Sequence, residues 1–162
     1  MPVIGYSQVK RKAEDAFGSV IEARRGTYLS GVSVVKGLSG EELPTGGYIQ
    51  VLCEKADPEV FGGGQVTGNW YCDMVIGMVG HYITARDTRS NQESELFDIL
   101  MRDDLINLLN QSSVSNFYAI GASAGTTAND WVPGAVETRQ ILGSDFGEFM
   151  TGRLYCRPSR TI

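Results

Sequence analysis

One stretch limits the fold more than any other: "NWYCDMVIGMVGHYITARD", residues 69–87. Trp70, Cys72, Met74, Ile76 and Met78 share one parity. Tyr71, Val75, Val79 and Ile83 share the other, with Asp73 and His81 among them. An extended chain sends alternate side chains to opposite faces, so this segment has apolar groups to bury on both. Its length and two-sided character predict a long central strand covered on much of both faces. The rest of the chain must supply that cover.

Two helical regions are legible. Val9, Ala13, Ala16, Phe17, Val20 and Ile21 recur mostly at spacings of three and four, with Lys10, Arg11, Glu14, Asp15 and Glu22 between them. Ser7 is placed to cap this helix, and Gly26 to supply a left-handed stop after Arg24 and Arg25. The second region, "DTRSNQESELFDILMRDDLINLLNQS", carries Ser90 and Glu93 as a capping box. Leu96, Ile99 and Leu100 form one stripe, which Leu105, Leu108 and Leu109 continue after a bend near Asp103-Asp104.

The other strand signals are "TYLSGVSVVKG", the alternating "GYIQVLCEK" and a closing hairpin. The hairpin's first arm runs from Val136 to Leu142, with its turn near Gly143-Ser144-Asp145. In its second arm Met150, Gly152, Leu154 and Cys156 oppose Thr151, Arg153 and Tyr155. Three long loops remain: about Gly37 to Gly47, Asp57 to Gly68, and Ala122 to Val132. The order predicts an α+β fold, a mostly antiparallel β-sheet with two main α-helices packed on one face.

The 162 residues suit one domain spanning 1–162, and 42% hydrophobic residues suffice for a packed interior. A net charge of -5 argues against gripping nucleic acid through its phosphates, which needs clustered Lys and Arg. The first twelve residues lack the apolar core of a signal peptide, and no run approaches the ~18 apolar residues that cross a bilayer. Cys53, Cys72 and Cys156 are widely spaced and odd in number, which reads as buried free thiols made in a reducing cytoplasm.

Gly121-Ala122-Ser123-Ala124-Gly125 spells the G-x-S-x-G of a hydrolase nucleophile elbow. Such an elbow needs a helix after the serine, and the residues that follow hold β-branched side chains and Pro133 instead. A triad needs a base, and the one histidine, His81, precedes the serine inside the long strand. One histidine and three scattered cysteines do not make a zinc site, and Asp103-Asp104 lacks a third carboxylate on its face. "FGGGQVTGNW" is rich in glycine but lacks the Gly-Lys-Ser/Thr of a P-loop and opens no helix. The expectation is therefore no enzyme: no catalytic, cofactor-binding or metal residues, and no cofactor.

The layout resembles the tail terminator, or tail completion, proteins of long-tailed bacteriophages, over nearly the whole chain. The resemblance rests on an opening helix, a strand and loop running into Leu43-Pro44-Thr45-Gly46-Gly47-Tyr48-Ile49-Gln50-Val51, a long strand leading into a helix, and a hairpin ending in "GRLYCRPS". It is one of pattern and order. The Asp57 to Gly68 and Ala122 to Val132 segments are longer than the family pattern, which keeps another neck or minor tail protein open as a reading.

The resemblance implies a homo-oligomeric ring, usually a hexamer, at the head-proximal end of the tail tube. Such a ring stops tube growth and docks the head–tail connector while genomic DNA passes through without specific binding. Its partners would be its own copies, the tail tube protein and the connector, with no membrane. Its place would be the virion, after assembly in the host cytoplasm. An acidic wall would repel phosphate in transit. The small-residue loop bearing Gly121, Ser123 and Gly125 is then a candidate subunit contact. Trp131 is either an interface anchor or packed on its own domain. A small α+β ligand- or protein-binding module, and a hydrolase using Ser123 or Cys72, are the rival readings.

Overall fold

The computed structural model describes residues 5–37, 47–60, 63–64, 66–80, 86–114, 117–119, 131–140 and 146–157. In chain order these form α1 (Tyr6–Arg24), β1 (Ser33–Lys36), β2 (Tyr48–Val60), β3 (Val66–Gly80), α2 (Arg86–Leu100), α3 (Leu105–Asn110), β4 (Tyr118–Ala119), β5 (Trp131–Gln140) and β6 (Phe146–Arg157). The fold is α+β. One mixed sheet runs β1-β2-β3-β6, and β6 then pairs with β5 along most of its length and with β4 at its end. Among the described strands only β1 is parallel to its neighbour; the remaining pairs are antiparallel.

The two-sided stretch is the central strand β3, held by β2 on one side and β6 on the other. Its Cys72, Met74, Ile76 and Met78 face the helices. There they join Val9, Phe17 and Ile21 of α1, Leu96 and Leu100 of α2, and Leu105 and Leu109 of α3. Its Val75 and Val79 face the other way and pack with Tyr48 and Phe149. On that outer face the Phe149 ring crosses two glycines. A Cβ on Gly77 or Gly147 would lie 2.7 Å or 2.8 Å from the ring and would also strike strand backbone. Glycine is needed at both positions because β3 and β6 approach so closely there.

A bulge in β2 decides what lies on each face. Cys53 pairs with Met74 and Lys55 with Asp73, so Glu54 is the extra residue. Cys53 faces the core, and after the bulge Ala56 is the next buried residue. Without the inserted residue the alternation would have driven Lys55 inward.

The expected loop from Asp57 to Gly68 is instead mostly paired strand, with Asp57 opposite Tyr71, Pro58 opposite Trp70 and Val60 opposite Val66. Pro58 is tolerated because, among the described residues, β1 pairs with β2 only as far as Val51 and no strand claims the proline's missing N–H. The turn uses Gly64 at φ 83°. The Gly37 to Gly47 and Ala122 to Val132 expectations fall largely outside the described residues.

Four local expectations need correction. The cap of α1 is Gly5, whose N–H is accepted by Gln8 Oε1 at 3.3 Å, and Ser7 lies inside the helix. Gly26 provides no left-handed stop: Arg25 is extended, and the N–H groups of Gly26, Tyr28 and Leu29 donate to the Glu95 carboxylate at 3.0, 3.1 and 2.8 Å. Those donors are thereby withdrawn from any ladder, so "TYLSGVSVVKG" yields a turn and only the four residues of β1. The Ser90 capping box is not formed, because α2 already runs from Arg86. The bend after Leu100 is present, with Arg102 Nε and Nη2 donating to Asp104 Oδ1 and Oδ2 at 2.8 and 3.1 Å.

Candidate interaction surface

Of the residues singled out in the sequence, Gly121, Ser123, Gly125 and His81 lie outside the described residues. Trp131 opens β5, its backbone opposite Leu154. The structure therefore brings none of these side chains into a described arrangement. What it does bring together lies on the outer face of the sheet.

The β2 bulge puts Lys55, Asp57 and Glu59 on that face. They meet Asn69, Tyr71 and Asp73 from β3, and Arg153, Tyr155 and Arg157 from β6. Tyr71 sits directly opposite Tyr155, and Asp73 opposite Arg153. The two phenol rings stack with centroids 4.9 Å apart. Glu59 Oε1 accepts the Tyr155 hydroxyl at 2.9 Å, and its Oε2 accepts the Tyr71 hydroxyl at 3.2 Å. Asn69 Nδ2 donates to Tyr155 Oη at 2.8 Å, and Asn69 Oδ1 accepts Arg157 Nε at 2.8 Å. Arg153 donates to Asp73 at 3.0 Å, reaches Asp57 at 3.7 Å, and lies 5.3 Å from the Tyr71 ring centre.

Cross-strand pairs of this kind contribute roughly 0.2–1 kcal/mol each. Together they tie side chains of three strands to one another across the face. Burial, then the bond to Glu59, raises the Tyr155 phenol above its usual value and keeps it a donor. The neighbouring Asp73, then partial burial and Asp57, govern Arg153, whose guanidinium is held more firmly charged than usual. The surface offers oriented donors, acceptors and aromatic edges, the chemistry of a polar interface. Sequence reading missed it because it took Asp57 to Gly68 for a loop. The signal was the alternation of Lys55, Asp57 and Glu59, masked by Pro58.

Two further features bear on binding. Among the described residues, no strand pairs with the outer side of β1 or of β5, which stand at opposite ends of the sheet. Val136 on β5 is an exposed apolar residue on one of those edges. On the helical side an open cleft of about 310 Å³ separates α1 from α3, lined by Ser19, Arg24, Gln111 and Ser113 among others.

Cys72, one of the nucleophiles considered, is buried against Cys156. Their hydrogen bond, with burial, pushes the Cys72 thiol well above its ordinary value, which opposes the thiolate a nucleophile needs. Among the described residues, no three His, Cys, Asp or Glu side chains converge as metal ligands do. No described helix is long and apolar enough to cross a membrane.

Fold and surface together define an α+β domain with a two-faced mixed sheet and a network of hydrogen-bonded polar side chains on the face turned away from the helices. No model of a known protein family matches the chain, and no curated protein matches it in sequence.

Proposed function

We propose that the chain is a virion structural protein, a tail terminator that forms a ring at the head-proximal end of a phage tail tube. In this reading the ring stops tube growth and joins tail to head connector. The observation that carries it is the pair of sheet edges, β1 at one end and β5 at the other. Edges at opposite ends favour head-to-tail contact, in which one copy's β5 meets the next copy's β1, and rotational closure then removes the last open edge. The ordered polar face supplies a second, wettable surface for a neighbouring component of the neck or tube. The net charge of -5 suits a wall past which DNA moves without sticking.

Mass by light scattering, with electron microscopy of the same sample, tests this. A closed ring, or co-assembly with tail tube protein, supports it. A chain that stays monomeric at high concentration and ignores tube and connector proteins overturns it. The other neck and minor tail proteins share the same physical logic, and the component bound separates them from a terminator.

The Glu59–Tyr71–Tyr155 network and the α1–α3 cleft favour the second reading, a ligand- or protein-binding module. It expects a monomer or dimer. Neither reading gives Ser123 a bond-making role, and fluorophosphonate labelling that vanishes in Ser123→Ala would restore the hydrolase.

A further inference from the structure

The three cysteines, scattered in the sequence, come together inside the fold. Cys53, Cys72 and Cys156 lie on the adjacent strands β2, β3 and β6, all facing the helices and all fully buried. Cys72 is opposite Leu154 and Cys156 opposite Trp70, so the two are diagonal neighbours across the β3–β6 ladder. Their sulfurs stand 3.7 Å apart, although the two residues are 84 positions apart in the chain. Cys53 approaches Cys72 from the opposite side, on β2, and its thiol also donates to the Lys55 carbonyl at 3.4 Å beside the β2 bulge.

We propose that Cys72 and Cys156 are an oxidation site, and that they join as a disulfide between β3 and β6 when the folded protein meets a peroxide. A disulfide needs its sulfurs about 2.05 Å apart, so the pair closes by turning both side chains and drawing the two strands slightly together. The Cys72 thiol gives up its proton and attacks one peroxide oxygen. The O–O bond breaks, sulfenic acid forms on Cys72 and one water leaves. The Cys156 sulfur then attacks the sulfenic sulfur, the S–O bond breaks, and a second water carries off the remaining proton. Two thiols and one molecule of hydrogen peroxide thus become one disulfide and two waters. The Cys156 contact and burial keep the attacking Cys72 thiol protonated, so the reaction is slow and follows the opening of the covering layer. The product ties the middle of the sheet to its last long strand, and the long loop it closes restrains the unfolded chain. A protein made reduced and later exposed to oxidant would be locked after folding, whatever its partners.

The test uses the full-length, reduced, folded protein and hydrogen peroxide. Thiols are counted with Ellman's reagent in denaturant before and after treatment, and a non-reduced digest is mapped by mass spectrometry. The expected count falls from the three free cysteines to one, with the Cys72 and Cys156 peptides linked. Cys53→Ala should still lose both remaining thiols, and Cys156→Ala should form no link. A count that stays at three, a loss of thiols without a linked peptide, or a link that uses Cys53 overturns the proposal. The wild-type digest decides alone if a variant fails to fold.

Discussion

Glu14 of α1 accepts the backbone N–H of Cys53 on β2 at 2.9 Å, inside the core. The contact exists because β1 is short. Its last bonds to β2 reach Val51, whose carbonyl accepts the Gly37 N–H at 2.7 Å. The next N–H on that side of β2 belongs to Cys53 and meets no strand among the described residues. A helix carboxylate takes the place of the missing strand, since a buried unmet donor costs about 1–3 kcal/mol.

That arrangement makes stability depend on pH. Burial, the largest influence, raises Glu14 above its ordinary value of 4.5, against the opposing bond from Cys53. The folded protein therefore holds this proton more tightly than the unfolded chain. Its contribution is fully present below 4.5 and is lost as pH rises through the folded value. Urea unfolding across this window should show that fall in wild type and lose it in Glu14→Gln, which keeps an acceptor. Glu14→Ala should be less stable than Gln by about 1–3 kcal/mol. A Gln variant with the wild-type pH slope would refute the assignment.

Glu95 gathers three backbone N–H groups and fixes the path from α1 into β1. Glu95→Ala should destabilise by about 1–2 kcal/mol, toward the low end for charged hydrogen bonds because the turn is half open to water. Hydrogen exchange should quicken at Gly26, Tyr28 and Leu29 first. Unchanged protection at all three would contradict this.

Gly77 and Gly147 let β3 and β6 close beneath the Phe149 ring. Gly77→Ala and Gly147→Ala should each cost about 1–3 kcal/mol, because the new carbon meets strand backbone that cannot step aside. Gly63→Ala is the control: nothing lies within 4 Å of its Cβ position, so it should change stability by less than about 0.5 kcal/mol. Equal effects at all three positions in thermal melts would sink the close-approach argument.

If copies pair edge to edge, Val136 on β5 is the residue to charge. It is 45% exposed, so Val136→Glu should leave unfolding within about 0.5 kcal/mol of wild type. Light scattering should then show smaller particles. A ring that survives the change would move the contact away from this edge.

Much of the fold was readable, and the reasons are local. Parity along residues 69–80 exposed β3 and both of its faces, because alternation is a property of any extended chain. Spacings of three and four revealed α1 and the leucines of α2 and α3 in the same way. The capping signals at Ser7 and Ser90 misled, because a cap matters only where the chain enters the helix, and both helices begin earlier. Pro58 misled because its cost depends on whether another strand needs its missing N–H.

Residue order alone thus determined the periods, and through them which side chains seek cover. The assembled structure decided who meets whom: Glu14 with Cys53, Glu95 with the turn after α1, Cys72 with Cys156, and Glu59 with two tyrosines. All of these partners except Glu59 and Tyr71 are more than thirty positions apart in the chain. A bulge of one residue, Glu54, selected which charges reach the open face. Such contacts depend on register between strands and on where a neighbour ends, and neither is written in the period of any one segment.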